Sequence, residues 1–375
     1  MADSQDFWTP LLGATPGQTG SVPLSLRVLR KQGRPFLTLP LPSRPALVAL
    51  GLYPAQTGRA RLARNLLGWL LRFGLPLGTS TVSVSVAPAD PFVSFLASLT
   101  KPAPEAVPTF GILAGNPGNE GRRFVILLFD PTLQPRAVVK AGLSPQARAL
   151  VRREAAFLGE LAGKITGIPA LRAAFQGERV EAFALDFFKG ESPRPHQLRS
   201  LPNLLWPWVD AKRTIALPEA PDWRRLAQAA AADPRWPALA AAARERAVHP
   251  AIGHGDLTPW NIRISPQGNW VVLDWERGEP DGIPGWDWFH YVIQVAILVD
   301  RLPTPSLIGR VESLLNSPPF QRYAEHSGIL GFERRLLLAY LLHCAEVIKP
   351  SEGLLQTREL LGALTDRWKS ETKVG

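Results

Sequence analysis

The stretch "HGDLTPWNI", His254 to Ile262, runs directly into "RISPQGNWVVLDWE", Arg263 to Glu276. Together they read as two short apolar strands either side of a turn at Pro266 to Gly268, the second strand ending in Asp274. A hairpin returns its two ends to one place. Asn261, where the first strand begins, and Asp274, where the second stops, therefore share an end. Asp256 precedes Asn261 by five residues and Asp274 follows it by thirteen, so three oxygen-bearing side chains converge on one small region. On its own, "HGDLTPWN" would read equally well as a polar turn in which Asp256 caps and Asn261 bonds locally. The strand-turn-strand that delivers a second carboxylate is what argues against that reading.

These two motifs, at this separation, resemble the catalytic loop and metal-binding Asp of the protein-kinase-like phosphotransferases. They look most like the branch of aminoglycoside phosphotransferases and choline kinases, which has His-Gly-Asp where protein kinases have His-Arg-Asp, and Asp-Trp/Phe-Glu where they have Asp-Phe-Gly. In order of elements the resemblance covers roughly residues 105 to 350, and it is specific at these two motifs. It implies a two-lobed α+β fold with a small antiparallel-sheet N-lobe and a mainly helical C-lobe. It also implies ATP as phosphoryl donor and a hydroxyl of a small molecule as acceptor. The chemistry fits the residue types. Hard oxygen donors suit Mg²⁺, so Asn261 and Asp274 are the expected metal ligands. Asp256 is the expected base that orients the acceptor hydroxyl and takes its proton. His254 is assigned to holding the loop and not to catalysis.

An ATP site of this kind needs a strand Lys and an acidic partner on the next helix. Lys140 in "AVVKA" and Glu154 in "VRREAAFL" answer that need. The phosphate-covering loop is less regular. "GILAGNPGNEG" has glycines at 111, 115, 118 and 121, departs from Gly-x-Gly-x-x-Gly, and would also suit a plain Asn/Gly hairpin. Gly115 and Gly118, with backbone N–H groups around Asn116 to Asn119, are the candidate phosphate contacts. Adenine is expected against "ALDFFKG", at backbone atoms near Asp186 to Phe188.

Composition shifts divide the chain into residues 1–100, an N-terminal α/β extension of unknown role; 101–193, the kinase-like N-lobe; and 194–375, the helical C-lobe. In the extension, "RPFLTLPLP" and "TSTVSVSVAP" read as strands. "TGRARLARNLLGWLLRF" reads as a helix with Leu62, Leu66, Trp69 and Leu70 on one face. Arg59, Arg61, Arg64 and Arg72 beside that face raise contact of residues 55–73 with a membrane surface; packing on the neighbouring domain is the favoured reading. Residues 100–108 form a Pro-rich junction, and Ser144 followed by Pro145 marks a helix start.

With 375 residues, 46% of them hydrophobic, the chain can bury a sizeable core. Its richest apolar run, Leu336 to Ile348, is too short to span a bilayer. Asp3 and Asp6 sit where a secretory signal would be basic, so the cytoplasm is the expected compartment. One cysteine, Cys344, allows neither an internal disulfide nor a Cys-based metal site. The net charge of +10 occurs without a run of five basic residues, which disfavours a nucleic-acid partner.

For the acceptor, "ERGEPDGIPGWDWFHY" offers Glu276, Glu279, Asp281 and Asp287 with Trp286 and Trp288. Glu276, Trp286 and Asp287 are the candidate contacts, with helix capping the rival use of Asp287 and core packing that of the tryptophans. A sugar, amino alcohol, envelope precursor or aminoglycoside-like compound fits. The alternative function is a catalytically weak or inactive nucleotide-binding scaffold; the joint presence of Lys140, Glu154, Asp256, Asn261 and Asp274 argues against it.

Overall fold

Segments such as "RFVILLF" are apolar at nearly every position, which suits strands covered on both faces. In the computed structural model they lie in an eight-stranded sheet. The structure describes residues 4–14, 20–31, 33–53, 58–75, 78–100, 107–115, 121–161, 163–194, 197, 200–350 and 352–369. The chain divides into two compact units, residues 1–162 with 169–188, and residues 163–168 with 189–375.

The first unit holds strands β1 (Val22–Lys31), β2 (Arg34–Pro40), β3 (Ser80–Val86), β4 (Thr109–Ala114), β5 (Arg123–Phe129), β6 (Pro135–Gly142), β7 (Leu171–Gln176) and β8 (Glu181–Asp186). They pair antiparallel throughout in the order β3-β1-β2-β4-β5-β6-β8-β7. Its helices are α1 (Ser4–Leu12), α2 (Ser43–Leu50), α3 (Gly58–Arg72), α4 (Pro91–Ser98) and α5 (Pro145–Leu161). Neighbouring strand residues point to opposite faces. Ile126 and Leu128 join Trp8, Phe92 and Leu96 of α1 and α4 in one core, while Leu127 and Phe129 join Ala46, Ala49 and Leu71 of α2 and α3 in the other. α5 starts as its sequence predicts: Ser144 Oγ accepts the amide of Ala147 at 3.2 Å.

Two expectations change here. Residues 1–100 are not a separate extension, because their three strands continue the sheet: β2 joins β4 through Leu37↔Leu113 and Thr38↔Ile112. The physical reason is cover, since the apolar strands β4 and β5 need helices on both faces and α1 to α4 supply them. The division between units also falls at residue 188, not 193, and residues 163–168 go with the second unit. Second, the face of α3 bearing Leu62, Leu66 and Trp69 is exposed, while Leu71, half a turn round, is buried against the sheet. The helix has two apolar stripes and only one of them docks.

The second unit is mainly helical, with α6 (Leu201–Leu205), α7 (Pro221–Ala229), α8 (Trp236–Ala243), α9 (Trp286–Gln294), α10 (Thr304–Leu315), α11 (Pro318–His326), α12 (Glu333–His343) and α13 (Leu354–Arg367). Among them, in the described residues, run three short antiparallel ribbons, two of which frame the loops 254–261 and 273–278. Ala251–Gly253 (β9) pairs with Glu279–Gly282 (β12), and Ile262–Ile264 (β10) pairs with Trp270–Val272 (β11). Loop 254–261 thus joins β9 to β10, and loop 273–278 joins β11 back to β12. Among the described residues no helix is long and apolar enough to cross a membrane. The sheet-bearing first unit and helical second unit give the expected α+β, protein-kinase-like class.

Candidate active site

The two loops are tied together by their backbones. The amide of Leu273 donates to the carbonyl of Asn261 at 2.7 Å, so Asp274 follows directly on the residue bonded to Asn261. Asn261 Nδ2 in turn donates to the backbone oxygen of Asp256 at 2.9 Å and to its Oδ2 at 3.0 Å. The hairpin expected from the sequence therefore brings Asp256, Asn261 and Asp274 to one end of β10 and β11. Asp274 has φ +69°, a left-handed conformation that costs a residue other than glycine about 1 kcal/mol and that Asp tolerates better than most. Strain of this kind concentrates where a side chain must be aimed.

His254 is buried and both ring nitrogens are engaged. Nδ1 accepts the amide of Asp256 at 3.2 Å, and Nε2 lies 2.9 Å from the carbonyl of Leu273. Because Nδ1 accepts an amide, the ring proton sits on Nε2, facing that carbonyl. The ring packs edge-on against Trp275 at 4.6 Å. Gly255 separates His254 from Asp256 with φ +74°, and a Cβ there would sit 2.8 Å from Cβ of Arg277; no other residue fits.

Asp287 is expected as an acceptor contact or a helix cap; the cap position of α9 falls at Gly285, and Asp287 takes another part. Its buried carboxylate accepts the amides of His254 at 2.7 Å and Gly255 at 3.0 Å and so anchors the loop from the first turn of α9. Burial raises its pKa, although the amides of His254 and Gly255 oppose the shift. Trp286 and Trp288 do not form an aromatic wall. α9 is buried almost all round: Trp286 packs on Tyr340 and His343, and Trp288 on Phe320 and Tyr323. Of the other acidic residues, Glu279 pairs with Arg225 and Asp281 with Arg213, each at 2.9 Å. Glu276 lies half-buried two residues after Asp274.

The sequence reading missed His290. Its Nε2 lies 3.1 Å from Asp256 Oδ1, and its Nδ1 lies 3.0 Å from the hydroxyl of Tyr340 on α12. Burial works against a charged ring, but the hydrogen bond and charge of Asp256, with Cys344 adding to them, raise His290 to about 9. Asp256 shifts the other way. Burial would raise it, yet His290 foremost, then Arg277, bring the carboxyl below its usual range. Its side chain is one-third exposed (33%), so the carboxylate still meets solvent. The available signal was helical spacing: His290 stands one turn after Asp287, on the face that meets the loop.

In the first unit, the partly buried Lys140 on β6 pairs with the buried Glu154 on α5, with Nζ 2.6 and 2.9 Å from the two carboxylate oxygens. Gly115 closes the β4–β5 hairpin by donating its amide to Arg123 O at 3.0 Å, and a Cβ there would come within 2.7 Å of that oxygen. Gly118 and Asn116 to Asn119 lie outside the described residues.

The donors fit a hard cation. Both bonds to Asp256 are made by the amide nitrogen of Asn261, so its oxygen is the atom suited to a cation, on a residue backbone-bonded to the loop that carries the Asp274 carboxylate.

The sequence profile of the phosphotransferase enzyme family, APH, matches residues 69–281, more than half of the chain. No curated protein matches the sequence. Among solved structures, a thermostable mutant of aminoglycoside phosphotransferase APH(4)-Ia, in ternary complex with ADP and hygromycin B, is 12% identical. It covers 74% of this chain and 98% of its own, with a TM-score of 0.46. A Haemophilus somnus 129PT protein assigned as a fructosamine-3-kinase is 15% identical over 72% of this chain and 96% of its own, with a TM-score of 0.44. A Plasmodium vivax ethanolamine kinase is 11% identical over 88% and 94%, with a TM-score of 0.43.

Proposed function

We propose, from the premise that the chain belongs to the phosphotransferase enzyme family, that it transfers the γ-phosphoryl group of ATP to a hydroxyl of a small molecule in the cytoplasm. The observation that carries this reading is the bonded sequence Leu273 N to Asn261 O to Asp256, which gathers a candidate base and two oxygen donors at one end of a hairpin.

Phosphoryl transfer asks the protein for placement and charge more than for covalent chemistry. Asp256 takes the proton of the acceptor hydroxyl. His290 keeps Asp256 ionised and fixes one of its oxygens, while Asn261 fixes the other. Asn261 and Asp274 hold Mg²⁺, which when bound neutralises charge on the phosphates. Lys140 binds phosphate oxygens and Glu154 positions its ammonium. His254, Asp287 and Gly255 hold the loop. The pairing of Glu279 and Asp281 with arginines supports a sugar or amino alcohol over a polycation as acceptor, with Glu276 the acidic side chain nearest the loop in sequence.

The test is ADP release by the purified protein against a panel of sugars, amino alcohols, nucleosides and aminoglycosides. With an acceptor in hand, Asp256→Ala and Asp274→Ala should each lower kcat by about 10²-fold or more while the protein stays folded. Full activity in either variant rejects the assignment. Nucleotide-dependent thermal stabilisation with no ADP release for any acceptor would favour the scaffold reading.

A further inference from the structure

α3 is apolar on two sides. Leu71 is buried on the sheet side. Leu62, Leu66, Trp69 and Phe73 recur at intervals of four, three and four, one face of a helix extended by a turn, and they are 71, 58, 55 and 62% exposed. Trp69 and Phe73 sit with ring centroids 4.8 Å apart on that face. A soluble surface seldom leaves so continuous a row bare without a partner for it.

The charge around the row is one-sided. From Phe7 to Ala89 the sequence has nine Arg and Lys and no Asp or Glu, so nearly all of the chain's +10 lies in this segment. The fold brings part of it to α3. Arg72 is exposed beside Trp69. Arg64 Nη1 donates to Tyr53 O at 3.4 Å, the Tyr53 ring meets Phe36 edge-on at 5.2 Å, and Lys31 Nζ lies 5.8 Å over Phe36. That path leads to the β1–β2 turn, where Arg30 and Arg34 are exposed.

A second copy of this chain would bring two cationic segments face to face, which electrostatics opposes. An anionic bilayer meets both needs at once. Its headgroups accept the guanidinium groups, and its interface takes aromatic and leucine side chains from a helix lying flat. We infer that α3 docks this protein on anionic lipid, with Leu62, Leu66, Trp69 and Phe73 set into the interface and the surrounding cations on the headgroups. This inference does not depend on the proposed phosphoryl transfer.

The experiment is co-sedimentation of the full chain with vesicles of phosphatidylcholine alone and of phosphatidylcholine with phosphatidylglycerol in equal parts. The wild type should bind the anionic vesicles at low salt and be released as NaCl shortens the Debye length below about 10 Å. Trp69→Ser/Phe73→Ser should weaken partitioning by at least about tenfold. Arg72→Gln should weaken it by about fivefold. Circular dichroism and thermal unfolding check that the variants fold, and none of these residues belongs to the proposed catalytic machinery. Absence of wild-type binding to anionic vesicles overturns the inference, as does equal binding to neutral ones or a folded double variant that binds unchanged. A dimer seen by sedimentation equilibrium and dissociated by Trp69→Ser/Phe73→Ser, without vesicle binding, assigns the face to a second copy instead.

Discussion

His290→Gln removes the positive charge facing Asp256 while leaving a side chain of similar reach that can still donate to Oδ1. The magnitude follows from the shift of His290 from its ordinary 6.5 to about 9. At 1.36 kcal/mol per pH unit that interval is worth about 3 kcal/mol, on a group buried enough to escape solvent screening. The folded value lies above the unfolded one. The stabilisation is therefore complete below pH 6.5 and is lost as the pH rises through about 9. Asp256, whose pKa is lowered, contributes in the opposite sense: its share is present above 3.8 and is lost as pH falls through its depressed value. The groups facing His290 are Asp256 from the loop, Tyr340 and Cys344 from α12 and its continuation, and Asp287 one turn back on α9. Urea unfolding of wild type and variant, at a series of pH values from below 6.5 to above 9, isolates the histidine as the difference between the two curves. Wild type should lose about 3 kcal/mol relative to His290→Gln across that window. The acid limb of kcat/KM should also move to higher pH in the variant, because Asp256 loses the partner that does most to lower it. Parallel stability curves would mean that the buried ring is neutral and that the ionic account of the pair is wrong.

Two other perturbations test the parts around that pair. Lys140→Met leaves Glu154 buried opposite an apolar group and should cost about 3–5 kcal/mol by denaturant unfolding. Adding Glu154→Leu should restore most of that stability without restoring activity. Asp287→Asn keeps one acceptor but turns an N–H₂ group toward the amides of His254 or Gly255, costing about 1–3 kcal/mol. Hydrogen exchange at those two amides should speed up in step with a fall in kcat; unchanged exchange would show that the carboxylate does not hold the loop.

The loop residues were legible because hairpin geometry is local: a turn of known length sets where Asn261 and Asp274 must end. Lys140 and Glu154 were legible for a related reason, since a strand followed by a helix limits which side chains can meet. His290 was not. Its contact with Asp256 spans 34 residues, and a histidine on an apolar helix ordinarily reads as core. The hold of Asp287 on the loop was not legible because α9 is buried almost all round, so its sequence holds no polar face to show which residue meets the loop. Periodicity found α3 but could not choose between its two apolar stripes. The pairing of β2 with β4 was invisible to pattern, because α2, α3, β3 and α4 intervene between them in the chain.

That pairing bears on how the protein can be cut. The family match begins at residue 69, inside α3, and a chain trimmed there would lose β1 and β2 together with α1 and α2. β4 would become an open edge with unpaired backbone groups, and Leu113, Leu127 and Phe129 would lose their cover. Such an edge recruits strands from other molecules. The shortest version of this protein that keeps the sheet covered, and the safest unit to graft onto another chain, therefore extends well ahead of the stretch that the family profile matches.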